Sequence, residues 1–173
     1  MNLLEYPVPV LGFAAFSGTG KTTLLERVIP LLKTAGIRLA LVKHSHHDFE
    51  MDKPGKDSWR HAQAGSHHVV IAAPDKIASY RFTDTEASLD EVLTEFRDVD
   101  IILVEGYKRA GKPAVEMVRA ERGIEVIGSP EQLIAVVTDT DLKTAVPALE
   151  LDDIQGLAIL IEAQFLVNKN DLL

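Results

Sequence analysis

Short apolar runs alternate with helix-like spacings along the chain. The apolar runs predict strands over residues 8–14, 38–43 and 100–104, and the last is expected to be buried on both faces because its run is unbroken. Residues 22–35 have the spacing of an amphipathic helix, and Gly36 is a typical residue for its carboxyl end. Further strands are predicted at 69–72, 78–82, 114–118 and 133–137, and further helices at 57–65, 88–96 and 153–168.

Local signals refine three of these elements. The strands 69–72 and 78–82 are predicted to form a hairpin that turns at Asp75 and Lys76. Asp57 is expected at the N-cap or in the first turn of its helix, and Ser88 at the N-cap of the next one. The last helix is expected to begin at Asp152 or Asp153.

The alternation of strands and helices predicts a three-layer α/β fold with a mainly parallel sheet. A chain of 173 residues suits a single domain, 1–173, with one sizeable core. Ligands of such sheets bind beyond the carboxyl ends of the strands, so chemistry is expected in the loops at that edge.

Composition excludes several classes of function. The absence of cysteine rules out disulfides, thiolate catalysis and cysteine-ligated metal centres. A net charge of -8 argues against binding to bulk nucleic acid or to an anionic membrane surface. No apolar run reaches the length of a membrane span, and the first residues lack a signal-peptide pattern, so a cytoplasmic location is expected.

The segment A-F-S-G-T-G-K-T at 15–22 has the layout of a phosphate-binding P-loop. The strict pattern G-x-x-x-x-G-K-[ST] differs from it only at Ala15, whose methyl group is expected to be tolerated. The segment follows a predicted strand and opens a predicted helix, which is the context that the motif needs. It therefore predicts a P-loop NTPase fold and a nucleotide ligand.

The chemistry of this loop follows from its residue types. Backbone N–H groups around Gly18 and Gly20 can converge on a phosphate at a helix amino terminus, where the dipole favours negative charge. Lys21 adds a point charge for the β- and γ-phosphates, and the Thr22 hydroxyl is a hard oxygen ligand suited to Mg²⁺. The predicted nucleotide-binding residues here are Ser17, Gly18, Thr19, Gly20, Lys21, Thr22 and Thr23.

A second nucleotide signal follows the buried strand 100–104. This strand leads into Glu105, and Gly106 allows the chain to turn away sharply. An acid at that position lies beside the Mg²⁺ of a P-loop protein, although the usual residue is aspartate. Glu105 is therefore predicted as a metal ligand and a catalytic residue.

Four segments together resemble one family. F-A-A-F-S-G-T-G-K-T-T-L-L (13–25), V-K-H-S-H-H-D (42–48), D-K-P-G-K-D-S (52–58) and I-I-L-V-E-G-Y-K (101–108) are similar to the molybdopterin-guanine dinucleotide biosynthesis protein B family, MobB. The resemblance implies a protein that binds GTP with Mg²⁺, hydrolyses it weakly and forms a homodimer. It also implies a MobA-type molybdopterin guanylyltransferase as partner, with GMP joined to molybdopterin.

The V-E-G element also resembles dethiobiotin synthetase and related P-loop proteins. That similarity implies that Asp57 is a third Mg²⁺ ligand beside Thr22 and Glu105, a role that competes with helix capping.

The polar loop 44–56 is interpreted as lying near the phosphates, where Asp48 or Asp52 could orient the attacking water and His44 could contact an anionic ligand. Of the two carboxylates, Asp48 is the one predicted as catalytic.

Three other functions remain open at this stage. A small-molecule kinase or ligase of the dethiobiotin synthetase class needs a substrate pocket and fast turnover. A GTP-dependent metallochaperone needs the cluster of His44, His46, His47 and Asp48 to bind a transition metal. A structural adaptor with a vestigial P-loop is disfavoured by the intact pair of Lys21 and Thr22.

Two segments compete for recognition of guanine. N-K-N-D at 168–171 has the form that GTP-binding proteins use, but the helical spacing before it places it at a helix end. T-D-T-D at 138–141 follows a predicted strand directly, so the carboxylates of Asp139 and Asp141 are the favoured candidates for accepting the N1 and N2 hydrogens of guanine.

Overall fold

The computed structural model describes residues 8–45, 47–107 and 111–166. The chain divides into two compact units, one made of Met1–His44 with Glu95–Leu173 and the other of Ser45–Thr94. The first unit carries the phosphate loop. That the chain is a single domain stays a prediction.

A six-stranded sheet forms the first unit, and all of its strand pairs are parallel. The strand order is β2-β5-β1-β6-β7-β8. The strands are β1 (Val10–Ala14), β2 (Leu39–Lys43), β5 (Ile101–Glu105), β6 (Ala114–Val118), β7 (Leu133–Thr138) and β8 (Ala148–Glu150). The predicted α/β class with a parallel sheet is confirmed.

Helices α1 (Lys21–Thr34) and α4 (Ile154–Phe165) pack against each other and against one face of this sheet. Alternate strand residues such as Leu11 and Phe13 meet helix residues such as Val28 in one buried cluster. Residues two apart along a strand lie on the same face of the sheet, so every second residue of β1 packs in this core. The first four residues of β5 are buried, as the unbroken apolar run predicts.

The second unit contains a short helix, a hairpin and a second short helix. These are α2 (Asp57–Gln63), β3 (His68–Ala73) with β4 (Lys76–Arg81), and α3 (Leu89–Leu93). The hairpin pairs Ala73 with Lys76, so its turn is Pro74-Asp75, one residue earlier than predicted. Ser88 caps α3 in a reciprocal capping box with Glu91, as the sequence indicates.

Helix boundaries settle two open alternatives. Lys56 is the N-cap of α2, so Asp57 occupies the first helical position and does not act as the cap. Asp153 caps α4 by accepting the Gly156 N–H at 2.9 Å. None of the described helices is both long and apolar enough to cross a membrane.

Two elements were absent from the sequence prediction. The strand β8 has only three residues, too few to produce a recognisable apolar pattern. A 3₁₀ helix, Ala120–Arg122, follows β6 through Arg119, and nothing in its composition indicates it. This helix contains Arg122, whose guanidinium lies against Gly18 of the phosphate loop.

Candidate nucleotide-binding site

The loop between β1 and α1 passes twice through left-handed backbone. Gly18 has a φ of 73° and Gly20 a φ of 104°, conformations that strain any residue with a side chain. Gly20 is also the N-cap of α1, so the loop ends directly at the helix amino terminus. This is the backbone path expected of a loop that surrounds a phosphate.

Side chains within the loop hold it in shape. The buried Thr19 donates its hydroxyl hydrogen to the Phe16 carbonyl oxygen at 2.7 Å. The Lys21 ammonium donates to the carbonyl oxygens of Ala15 and Phe16, at 3.3 and 3.2 Å. Lys21 therefore folds back over the loop, and its ammonium lies against the loop backbone.

The residues present fit a triphosphate with Mg²⁺. The first N–H groups of a helix have no acceptor within the helix, so they can donate to a ligand. In α1 the Leu24 N–H donates to the carbonyl oxygen of the N-cap Gly20 at 3.0 Å. Ser17, Thr22 and Thr23 are exposed, so their hydroxyl groups are accessible. Backbone donors, one ammonium and one hydroxyl are the groups that phosphate and Mg²⁺ require.

Glu105 ends the strand next to β1. The sheet register places it opposite Phe13 on one side and opposite Lys43 on the other. The Glu105 side chain is 13% exposed, and its Oε2 lies 3.8 Å from the Lys43 Nζ. The carboxylate therefore stands at the edge of the sheet where the phosphate loop begins, and its role as a metal ligand stays a prediction.

In the turn after Glu105, the backbone of Gly106 passes very close to His44. Gly106 has a φ of 101°, and a Cβ on it would lie 2.6 Å from the Cβ of His44. The His44 N–H donates to the Glu105 carbonyl oxygen at 2.8 Å, and the His44 ring lies 4.2 Å from that of Tyr107 between centroids. A glycine at 106 thus allows the chain after β5 to pass close to the chain after β2.

Asp139 follows β7 at the same edge, but its carboxylate is already engaged. Oδ1 accepts the Ala120 N–H at 2.8 Å, and Oδ2 lies 3.6 Å from the Arg119 Nε. The Asp139 side chain is 34% exposed, and Asp141 is exposed as well. Recognition of guanine by Asp139 stays a prediction, and the base would have to compete with these two contacts.

Residues 10–139 match the family model described as molybdopterin guanine dinucleotide synthesis protein B. The chain belongs to the MobB family. A relative from Escherichia coli (strain K12), called molybdopterin-guanine dinucleotide biosynthesis adapter protein, is 41% identical over 157 residues, or 87% of this chain and 90% of the relative. A protein of the same name from Haemophilus influenzae (strain ATCC 51907 / DSM 11121 / KW20 / Rd) is 38% identical over 90% of this chain and 88% of its own.

A solved structure agrees with the family assignment. The crystal structure of a molybdopterin-guanine biosynthesis protein B (mobB) superposes with a TM-score of 0.69 at 28% identity, and the match covers 89% of this chain and 98% of the other. The resemblance of the four motif segments to the MobB family is thereby confirmed.

Two predicted site residues of this MobB family member lie in the second unit. Asp48 and Asp57 belong to Ser45–Thr94, whereas Thr22 and Glu105 belong to the first unit. The Asp57 side chain is 90% exposed, and its Oδ1 lies 3.9 Å from the Arg60 Nη1. A magnesium site shared by Thr22, Asp57 and Glu105, and a catalytic role for Asp48, stay predictions.

The D-K-P-G-K-D-S segment, which is characteristic of the MobB resemblance, has a structural role within the second unit. Hydrogen bonds to Asp52, above all from the Ser58 side chain and then from Lys53 N–H and Tyr80, lower the pKa of the Asp52 carboxyl. The Tyr80 hydroxyl donates to Asp52 at 3.0 Å and to the Ser58 carbonyl oxygen at 3.3 Å. These bonds fasten the start of α2 to the hairpin.

The loop with His44, His47 and Asp48 shows no assembled metal site within the part of the chain that the structure describes. No group of three or more His, Cys, Asp or Glu side chains there is placed to hold a metal ion. His47 is exposed, and His46 lies outside the described residues. The predicted Mg²⁺ site differs in kind, because it depends on a hydroxyl group and on the phosphates themselves.

The second candidate for guanine recognition falls outside the described residues. The N-K-N-D segment, Asn168 to Asp171, begins after the last described residue. Gln164 and Phe165 before it lie in α4, so the helical interpretation of the preceding segment is confirmed.

Sequence reasoning missed Arg122. No residue stands out from the sequence alone as an arginine for the phosphates, yet Arg122 of the 3₁₀ helix lies against Gly18 in the middle of the loop. The sequence did show a basic residue shortly after the strand β6. That β6 pairs with β1, and so brings this residue to the loop, is known only from the sheet topology.

Proposed function

We propose that this protein is a GTP-binding accessory protein of molybdenum-cofactor biosynthesis, which assists the attachment of GMP to molybdopterin. The observation that carries the proposal is the phosphate loop with Glu105 on the adjacent strand, in a chain that belongs to the MobB family. The relatives named adapter proteins of this biosynthesis support an assisting role. GTP is a cytoplasmic metabolite, so the proposal places the protein in the cytoplasm.

The chain's own residues would divide the work on GTP and Mg²⁺ as follows. Backbone N–H groups of the loop and Lys21 bind the phosphates, and Thr22 offers a hydroxyl oxygen to Mg²⁺. Glu105 would complete the metal environment, directly or through a bound water. Bound Mg²⁺ would neutralise charge that develops on the phosphates, and the protein would contribute positioning.

Replacement of Glu105 by glutamine tests the metal site. The substitution keeps the size of the side chain and removes its charge, so we expect Mg²⁺ to bind GTP-loaded protein roughly 10-fold to 100-fold more weakly. Binding of GTP without Mg²⁺ should stay within about threefold, because the backbone donors and Lys21 are unchanged. Calorimetric titration of Mg²⁺ measures the effect, and Glu26→Gln on the exposed surface of α1 is the matched control. Equal Mg²⁺ affinity in all three proteins would remove Glu105 from the site.

Assembly of the cofactor in vitro tests the function itself. A molybdopterin guanylyltransferase would be given molybdopterin, GTP and Mg²⁺, with and without this protein. We expect more molybdopterin guanine dinucleotide when the protein is present, and we expect Lys21→Ala to abolish the gain. Light scattering of the mixture should detect a complex with the transferase. Unchanged yield together with no complex would contradict the proposal.

The same scattering measurement tests the proposed homodimer. An isolated two-stranded hairpin is marginal in water, and this one exposes large apolar side chains, with Ile77 at 74%. Val70, Ile71 and Phe82 are exposed on the same two strands or directly after them. By the strand register Val70 and Ile77 share one face of the hairpin. We propose that a second copy of the chain covers this face, so the free protein should have twice the chain mass of 19.0 kDa.

A further inference from the structure

The guanidinium of Arg122 lies against the phosphate loop. A Cβ on Gly18 would lie 3.1 Å from the Arg122 Nη2 and 3.4 Å from its Cζ. Arg122 follows β6, which borders β1 on the side opposite to β5. The guanidinium therefore approaches the loop from the flank that faces away from Glu105.

Hydrogen bonds fix the backbone on either side of Arg122. Asp139 Oδ1 accepts the Ala120 N–H at 2.8 Å, which ties the start of the 3₁₀ helix to the end of β7. After the helix, Gly123 forms an antiparallel bridge with Arg119. Arg122 is thus presented by a short closed turn, so little backbone freedom remains to be lost on binding.

A buried carboxylate holds the continuation of the same segment. Glu116, in β6, is fully buried, and its two oxygens accept the N–H groups of Ile127 and Gly128 at 2.6 and 2.8 Å. Charge-assisted bonds of this kind are among the stronger ones in proteins. The stretch that carries Arg122 is therefore fastened to the sheet both before and after it.

The charge of Arg122 is also available. Among residues 8–45, 47–107 and 111–166, no carboxylate forms an ion pair with it, whereas Arg119 lies 3.4 Å from Glu121 and 3.6 Å from Asp139. A guanidinium presents a planar fork of donors that matches two phosphate oxygens. An unpaired fork beside a phosphate loop has the chemistry of a phosphate ligand.

We propose that Arg122 binds the terminal phosphate of a nucleoside triphosphate held in this loop, as an arginine supplied by the chain itself. The inference rests on the proposed binding of GTP. It adds a residue that distinguishes GTP from GDP, since only the triphosphate carries the oxygens that Arg122 would contact. The backbone donors bind the phosphate next to it in both nucleotides, and Lys21, predicted to lie between the two phosphates, contacts that one as well.

The same contact would support hydrolysis. A water oxygen forms a bond to the γ-phosphorus, the bond to the β–γ bridging oxygen breaks with its electron pair going to GDP, and the water proton passes to solvent. A guanidinium at the terminal phosphate stabilises the negative charge on its oxygens during this exchange. With such an arginine in the chain and no partner, turnover in known GTPases is still only about 10⁻² s⁻¹, which agrees with a slow enzyme.

Equilibrium titration with GTP and with GDP tests the proposal, using wild type, Arg122→Gln, Arg122→Lys and Arg38→Gln. We expect Arg122→Gln to lose roughly 10-fold to 100-fold in GTP affinity and less than about threefold in GDP affinity. Arg122→Lys should recover part of the loss, because it restores charge without the fork. Arg38→Gln removes the same charge at the amino end of β2, so it should leave both affinities unchanged.

Each outcome decides one claim. Equal effects of Arg122→Gln on GTP and GDP, or no effect, would overturn the arginine assignment while leaving nucleotide binding in place. A loss of thermal stability without nucleotide, with the GTP-to-GDP ratio unchanged, would show that Arg122 only braces the loop and would overturn it too. Failure of the wild type to bind either nucleotide would overturn both this inference and the function on which it rests.

Discussion

Lys21→Ala is expected to weaken GTP binding by roughly 100-fold or more while the protein remains folded. The Lys21 ammonium contacts the carbonyl oxygens of Ala15 and Phe16 in the loop, so its charge lies at the proposed phosphate site and takes no part in the core. Isothermal titration measures the loss. A thermal scan provides a second readout, because ligand at 100 times its Kd stabilises a protein by about 2.7 kcal/mol and the variant should not gain this.

Lys33→Ala is the matched control for this experiment. It removes the same charge from the last turn of the same helix, at the end of α1 that points away from the loop. GTP binding should be that of the wild type in this control. If Lys21→Ala bound GTP as tightly as the Lys33 variant, the assignment of the loop as a nucleotide site would be wrong.

Gly106→Ala is expected to have the largest effect on stability. Its φ of 101° strains any side chain, and the new methyl carbon would lie 2.6 Å from the His44 Cβ, which cannot rotate away. The two costs together should lower the free energy of unfolding by about 2–4 kcal/mol. For a chain of this length the thermal midpoint should then fall by roughly 5–15 °C, as measured by circular dichroism.

Gly123 allows the two costs to be separated. It has the same φ of 101° but nothing within 4 Å of the position that a Cβ would occupy. Gly123→Ala should therefore show the backbone strain alone, about 1–3 kcal/mol. If both variants unfolded at the same temperature, the contact between residues 44 and 106 would not be a packing constraint, and the close meeting of β2 and β5 would need another cause.

Local patterns were sufficient to predict the phosphate loop and its strand acid. The segment 15–22 could be placed between a strand and the first turn of a helix because both flanking patterns are strong over short distances. Glu105 could be predicted because an unbroken apolar run must end at the sheet edge, and Gly106 marks the turn. The parallel sheet followed from the alternation of strands with helices.

Non-local geometry accounts for what the sequence could not predict. Arg122 reaches Gly18 only because β6 pairs with β1, and this pairing is a property of strand order that no local pattern encodes. Asp139 was predicted to accept hydrogens of guanine, and its contact with the Ala120 N–H, 19 positions earlier in the chain, could not be foreseen from the local sequence. The three-residue strand β8 exists only because β7 offers it an edge.

Because β1 lies between β5 and β6, the residues on the two sides of the phosphate loop belong to different strands and can change independently. The acidic flank is attached through β5 and the basic flank through β6, and the two strands touch β1 on opposite sides. With Arg122 on the outermost phosphate, as proposed, sequence changes within 119–128 would alter that contact without moving the Glu105 carboxylate. A chain that kept the loop and Glu105 but differed within 119–128 would then hold the triphosphate for a different time, so the timing of release could change independently of the choice of ligand.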